Sequence, residues 1–372
     1  ETAGEAGALL IVKNYSGDMM NFKNGAQLAE EDGIHVDYVK VDDDIAVQDS
    51  LYTVGKRGVA GTIFVHKIAG AAAEKGYALK QVKVAAENAI SNIRSIGVAF
   101  TSCTVPAKGT PTFQIGEDEM EYGVGIHGEP GKSREPMQSA EKLAERMCKE
   151  LSDELGLVEN DEVSILINGF GGTPLQELYL FLNTVAKIMA ERKIKIYRSF
   201  AGNYMTSIDM SGVSVSFMKM NDELKELLDA ECDAPAFRVK GHVPERTYVP
   251  HQILEHPDRK KLEQIQTCPA YATIRGECIT TSNMIYMVDA MSECIIKNEV
   301  PFCELDAHAG DGDFGMSVAK GFLRLKQEWD AISVDKEKDM GKFLEDCSMV
   351  IMEYCGGASG PIWGSAFRAA GK

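Results

Sequence analysis

The sequence predicts an α/β domain followed by an all-α domain, and three observations carry that reading. Between about residues 7 and 237, short apolar runs rich in β-branched residues alternate with longer helical stretches. This is the signature of strands buried on both faces and covered by helices. From about residue 279 such runs vanish and only helical periodicity remains. Between the two regions, Pro244, Pro250 and Pro257 sit among charges and three histidines, His242, His251 and His256, which reads as a linker. A histidine cluster can bind metal, but solvated linker residues are the commoner explanation.

In order, the expected strands are 8–12, 35–41, 96–100, 162–168, 194–198 and 213–218, and the helices between them 19–31, 59–75, 81–93, 139–155 and 175–192. Helices at 281–298, 313–327 and 342–354 follow in the second region. At 372 residues the chain is too long for one compact core. The expected division is a first domain over 1–237, a linker over 238–278 and a second domain over 279–372. The chain opens at Glu1 without a methionine and stops at Lys372 shortly after a glycine-rich stretch, so both domains read as cut at the chain ends.

Composition narrows the function. The net charge is −17 and the pI about 4.9, which argues against nucleic acid and anionic membrane surfaces as partners. It does not argue against a nucleotide, which a local pocket or a bridging metal can accommodate. No apolar run approaches a membrane span, and no signal-peptide pattern is present. Nine cysteines without a Cys-x-x-Cys pair read as free thiols in a reducing cytoplasm.

Two tempting motifs fail on context. Gly123-Val124-Gly125-Ile126-His127-Gly128 fits a dinucleotide fingerprint, but Glu129-Pro130-Gly131 follows where a helix must begin. Asp311-Gly312-Asp313 resembles the start of a calcium loop, but Phe322 stands where that loop needs a glutamate.

What survives is a pairing of two strings near the chain end. Leu305-Asp306-Ala307-His308-Ala309-Gly310-Asp311-Gly312-Asp313 crowds three aspartates. Such carboxylates repel one another unless a cation joins them, and Mg²⁺ prefers carboxylate oxygen shared with substrate phosphates. Helix-capping aspartates are the alternative. Cys355-Gly356-Gly357-Ala358-Ser359-Gly360 lets backbone N–H groups approach a phosphate closely, although a plain helix–helix turn also explains it. Together they suggest nucleotide-dependent phosphoryl transfer. In the first domain, Lys13-Asn14-Tyr15-Ser16-Gly17-Asp18 follows a buried strand and precedes a helix, where α/β sheets place ligands. Asp18 alone reads as a helix cap. His127, flanked by glycines, can shuttle protons or attack a carbonyl, although a lone histidine is more often structural.

Taken with Asp42-Asp43-Asp44, Cys103-Thr104-Val105-Pro106 and Gly172-Thr173-Pro174-Leu175, these strings resemble the dihydroxyacetone kinase family over nearly the whole chain. The resemblance implies a substrate-binding K domain of mixed sheets flanked by helices, then a nucleotide-binding L domain that is a helical barrel. It implies that His127 binds the substrate carbonyl as a hemiaminal, that Asp18 is the base toward the phosphorylated hydroxyl, and that Lys13 lies beside the substrate. It further implies that Asp306, Asp311 and Asp313 hold two Mg²⁺ ions bridging the phosphates of ATP, and that Gly357, Ala358 and Ser359 contact those phosphates.

The fusion of both domains, and Gly312 between two aspartates, look like the ATP-dependent subclass, whose members can be homodimers. The implied substrate is dihydroxyacetone, with glyceraldehyde or another short ketose as related candidates. The family's K domain also carries an earlier glycine-rich loop with a second histidine, which would precede Glu1, and its L domain has later helices, which would follow Lys372. Two other readings share the resemblance: a non-catalytic ketose-binding regulator, and an FAD-AMP lyase (cyclising) side activity.

Overall fold

Strands that carry almost no exposed residue form the middle of a six-stranded sheet in the first part of the chain. The computed structural model describes residues 4–47, 55–107, 109–127, 129, 131–241, 248, 259–274, 276–308, 310–333 and 339–372. Two compact units divide the chain, Glu1–Pro250 and His251–Lys372.

The first unit begins with β1 (Ala8–Lys13), α1 (Ser16–Glu31) and β2 (Val36–Val41), then α2 (Thr62–Glu74) and α3 (Leu79–Ser91). There follow β3 (Ile93–Ala99), β4 (Glu119–Tyr122), β5 (Ser133–Pro136), α4 (Ala140–Leu155), β6 (Glu162–Gly169) and α5 (Leu175–Glu191). The unit closes with β7 (Lys195–Gly202), β8 (Gly212–Lys219), α6 (Asp222–Asp229), β9 (Cys232–Ala234) and β10 (Phe237–Val239). The large sheet has the order β5-β4-β3-β8-β6-β7. Only β6 and β7 run parallel; the other neighbours are antiparallel. β1 and β2 form a separate parallel pair. A bridge between Asp44 and Ser95 ties the chain after β2 to β3.

Period-two alternation divides the core between the two sheet faces. Val163, Ile165 and Ile167 of β6, with Val215 and Phe217 of β8, pack with Leu143, Met147 and Leu151 of α4 and Val185 and Met189 of α5. Leu166 and Met218 join the second cluster, with Phe64 and Ile68 of α2, Ala85 of α3 and Leu224 of α6. Helix ends follow local chemistry. The Ser139 side chain accepts the N–H of Lys142 at 3.4 Å ahead of α4, and Gly156 ends that helix at φ +57°, a left-handed cap that glycine adopts without a Cβ clash.

The expected elements are present, and the structure adds to them. β4 and β5 are short, polar strands with no continuous apolar run, so the apolar pattern does not reveal them. β3 starts at Ile93, because α3 stops at Ser91.

The stretch read as linker is partly built into the units. Residues 242–247 and 249–258, with all three of its histidines and all three of its prolines, lie outside the described residues. Yet β10 pairs with β9, and α7 (Arg259–Leu262) is helical. Thr267 is buried, its N–H and hydroxyl both donating to Asp289. Backbone groups that are sequestered from water need such partners, and neighbouring apolar surface makes burial worthwhile even in a stretch of low periodicity.

The second unit contains α8 (Thr281–Lys297), α9 (Glu299–Asp306), α10 (Phe314–Gln327), α11 (Trp329–Ser333), α12 (Met340–Tyr354) and α13 (Ser359–Gly371). Among the described residues no strand follows β10. Phe322, Leu325, Phe343, Cys347, Ile351 and Phe367 lie at its core. One buried ion pair crosses it, Lys326 to Asp289, with both side chains fully sequestered. Lys326 also donates to Gln264 O at 2.7 Å. No helix among the described residues is long and apolar enough to cross a membrane.

Candidate active site

His127 lies on the connection between β4 and β5, with its imidazole more than half exposed. Nδ1 stands 2.9 Å from Oε1 of Glu129, and the His127 backbone N–H donates to Oε2 of the same carboxylate. Glu129 is itself buried. Burial pushes its carboxyl up, but the side-chain and backbone hydrogen bonds from His127 outweigh that and hold it below the usual carboxylate range. Glycine is required beneath this carboxylate: a Cβ on Gly125 would stand 2.1 Å from Glu129 Oε2 and 2.8 Å from Arg57 Nη1.

The loop is fixed from below. Glu121 accepts the N–H of Gly131 at 2.8 Å, and Gly123 N–H donates to Gly97 O at 2.7 Å. Arg57, buried to 1% exposure, donates to Gly123 O at 2.6 Å and pairs with Asp44 at 2.7 Å. Burial pushes the Asp44 carboxyl up to about 6, against the lowering influence of Arg57. Asp43 accepts the N–H groups of Val59 and Gly61, both at 2.8 Å. The aspartate run therefore braces the turn before α2 and, through Arg57, the loop that carries His127.

The turn from Lys13 to Asp18 joins β1 to α1 at the carboxyl end of its strand. Tyr15 occupies the N-cap position of α1 and its side chain caps nothing, while Asp18 lies in the first helical turn, where the helix dipole favours a carboxylate. Among the described residues the Asp18 carboxylate has no hydrogen-bond partner, so the structure does not use it as a cap. Lys13 Nζ reaches the Met205 thioether at 3.8 Å. The Tyr15 ring meets the His127 ring edge-on. No hydrogen bond or ion pair joins His127 to Asp18 or Lys13.

One apolar cluster gathers the distant strings: Tyr15, Val59, Cys103, Val124, Ile126 and Phe170, the last just before Gly171-Gly172. Segments separated by up to about 150 residues in sequence thus meet at the base of the His127 loop.

In the second unit, Asp306 ends α9 and Asp313 stands at the N-cap position of α10 without a side-chain capping bond. Carboxylate oxygens of Asp306, Asp311 and Asp313 lie within 4.8 Å of one another. Asp306 Oδ2 accepts the N–H groups of Gly312 at 3.0 Å and Phe314 at 3.3 Å. Gly312 turns the chain at φ +80°, which lets Asp311 and Asp313 fold back toward Asp306. The donor set is hard oxygen alone, with Asp311 and Asp313 exposed, and it fits a hard divalent cation of the Mg²⁺ type better than a thiolate-seeking metal. The glycine-rich stretch lies beside the same helix: Gly356 N–H donates to Ser317 O of α10 at 3.0 Å. Gly357 and Ala358 are exposed, and Ser359 begins α13, so a helix N-terminus opens there.

Sequence reasoning brought out His127, Asp18, Lys13 and the three metal-type aspartates but missed Arg57 and gave Glu129 no part beyond its motif. The one available signal for Arg57 was an arginine inside Gly55-Lys56-Arg57-Gly58, a position with no periodic role.

The chain thus joins an α/β unit that carries an exposed histidine to a helical unit that carries a carboxylate cluster and a glycine-rich helix start. The Dak1 domain family matches residues 1–236 and the DAK2 domain family residues 308–372. The chain belongs to the dihydroxyacetone kinase family. It is 48% identical over 218 residues to the dihydroxyacetone-binding subunit DhaK of a PTS-dependent dihydroxyacetone kinase from Listeria innocua, covering 59% of this chain and 66% of the relative. It is 31% identical over 374 residues to an L-erythrulose kinase from Pectobacterium atrosepticum, covering 98% of this chain and 61% of that one. The dihydroxyacetone kinase of C. freundii in complex with AMP-PNP and Mg²⁺ superposes with a TM-score of 0.62 at 28% identity, covering 99% of this chain and 64% of that chain. The chain thus spans less than two thirds of the length of each of these three.

Proposed function

We propose that this protein is an ATP-dependent kinase of short carbonyl sugars, with the ketose dihydroxyacetone as the first candidate substrate and the ketose erythrulose or the aldose glyceraldehyde as the next. The observation that carries the proposal is the exposed His127 imidazole, engaged by Glu129 through one nitrogen only. A neutral imidazole with its other nitrogen open is a nucleophile for a carbonyl carbon. On addition a C–N bond forms, the C=O π pair moves to oxygen, and the proton shed by the ring is balanced by one gained on that oxygen. The resulting hemiaminal fixes a small, mobile sugar in one orientation, lowering the entropic barrier to its reaction. Glycerol, which has no carbonyl, is excluded by the same chemistry.

Asp18 then serves as base toward the substrate hydroxyl, and its lack of a capping partner supports that role. Lys13 lies beside the substrate on the same turn. In the second unit Asp306, Asp311 and Asp313 would hold Mg²⁺, and Gly357, Ala358 and Ser359 would contact nucleotide phosphates. Bound Mg²⁺ would supply neutralisation of the phosphate charge. A cytoplasmic homodimer is the assembly this reading expects. The test is ADP release with dihydroxyacetone, erythrulose, glyceraldehyde and glycerol in turn. Turnover with the carbonyl compounds and none with glycerol is expected; equal turnover with glycerol would overturn the proposal.

A further inference from the structure

The Glu129 carboxylate binds one residue twice. Oε1 lies 2.9 Å from the His127 ring at Nδ1, and Oε2 takes the backbone N–H of the same residue. A clamp of this kind fixes both the position of the main chain and the rotation of the ring. An ionised carboxylate has no hydrogen to donate, so the proton shared with Nδ1 must belong to the imidazole. In the neutral ring this is the Nδ1–H tautomer, with the lone pair on Nε2.

Three further features show that the clamp is built into the fold. Gly125 leaves room for the carboxylate, since a Cβ there would overlap Oε2. Burial of Glu129, at 9% exposure, removes competing water. The Tyr15 ring, with centroids 4.8 Å from the imidazole, blocks rotation on one side. Its buried hydroxyl has no hydrogen-bond partner among the described residues, so Tyr15 packs against the ring and does not compete for its nitrogens.

Resting on the ketose kinase reading, we infer that Glu129 is the positioning residue of the reaction: it holds His127 as the Nδ1–H tautomer, presents Nε2 to the substrate carbonyl, and stabilises the positive charge the ring acquires as the C–N bond forms. When Nε2 adds to the carbonyl carbon, the ring is transiently cationic and the carbonyl oxygen anionic. Loss of the Nδ1 proton and protonation of that oxygen leave a neutral hemiaminal with no net gain or loss of protons. A carboxylate within hydrogen-bond distance of Nδ1 favours this charge separation. The same logic forbids addition through Nδ1, which Glu129 covers.

The experiment has two arms. In the first, ¹⁵N-histidine NMR of the unmodified protein without ligand reads the tautomer directly. A protonated Nδ1 and unprotonated Nε2 for His127 are expected; a protonated Nε2 would overturn the inference with no variant needed. In the second, [2-¹³C]dihydroxyacetone is titrated into the unmodified protein and into Glu129→Gln and Glu129→Asp, and the conversion of the carbonyl carbon to a tetrahedral one is followed. Loss of a charge-assisted hydrogen bond should weaken the adduct about ten- to a hundredfold in Glu129→Gln. Glu129→Asp keeps the charge and should recover part of that loss, which a merely structural defect would not do. Equal adduct affinity in the unmodified protein and Glu129→Gln would overturn the inference and leave the kinase reading intact. No adduct in the unmodified protein would overturn the hemiaminal reading, and this inference with it.

Discussion

The Tyr15 ring packs edge-on against the His127 imidazole, with centroids 4.8 Å apart and an interplanar angle of 73°. More than a hundred residues separate the two in sequence, and the contact joins the turn that carries Lys13 and Asp18 to the loop that carries His127. Edge-to-face pairing of this type is attractive because the positive rim of one ring meets the negative face of the other.

Tyr15 contributes through its ring, since its buried hydroxyl lacks a partner among the described residues. Tyr15→Phe should therefore be neutral, or stabilising by up to about 1 kcal/mol, because an unpaired buried polar atom is removed. Tyr15→Ala should lose about 3 kcal/mol or more through the cavity it leaves. Denaturant unfolding of the two variants measures both. A Phe variant as unstable as the Ala variant would show that the hydroxyl, not the ring, carries the contact.

Asp18 should act in the chemical step. In Asp18→Asn, turnover should fall by about a hundred- to ten-thousandfold, while adduct formation with dihydroxyacetone is unchanged. Single-turnover kinetics alongside the adduct titration separate the two. Near-normal turnover would reduce Asp18 to a favourable charge at a helix start.

Asp311 should serve a cation and not the fold. Three carboxylates within 4.8 Å repel one another without a counter-ion, so Asp311→Asn should melt at the same temperature as the unmodified protein or slightly higher. Addition of Mg²⁺ with ATP should raise the melting temperature of the unmodified protein by mass action and that of the variant little. A variant that melts much lower yet keeps the full ligand-induced rise would make the aspartates structural.

The Lys326–Asp289 pair should be costly to break from one side. Lys326→Met leaves a buried carboxylate unpaired and should lose about 3–5 kcal/mol. Adding Asp289→Leu should restore only part of this, because the N–H groups of Gln266 and Thr267 then lose their acceptor. Equilibrium unfolding of single and double variants tests the pair; additive losses would show that the two side chains act independently.

Much of the architecture was legible because burial on both faces writes itself into composition. β6 and β8 are rich in valine, isoleucine and other apolar residues, and α4 announces itself with Ser139 before it and Gly156 after it. β4 and β5 were not legible, since strands of four residues with several polar side chains carry little periodic signal. The site was legible only in part. His127 and the three aspartates stand out by residue type, and the resemblance gave them roles. The Glu129 clamp was hidden because a glutamate two residues from a histidine has many possible orientations, and only the fold selects one. Arg57 was hidden for a similar reason: its partners Asp44 and Gly123 are 13 and 66 residues away, and nothing local marks a buried guanidinium. Within the stretch read as linker, Thr267 could not be recognised as buried, because its partner Asp289 lies 22 residues away.

The most direct test of the whole reading is intact mass of the protein after incubation with dihydroxyacetone, compared with His127→Ala under the same conditions. A single substrate adduct on the unmodified protein, absent from the variant and absent from both when glycerol replaces the ketose, is the result expected. An adduct that persists undiminished in His127→Ala would contradict it.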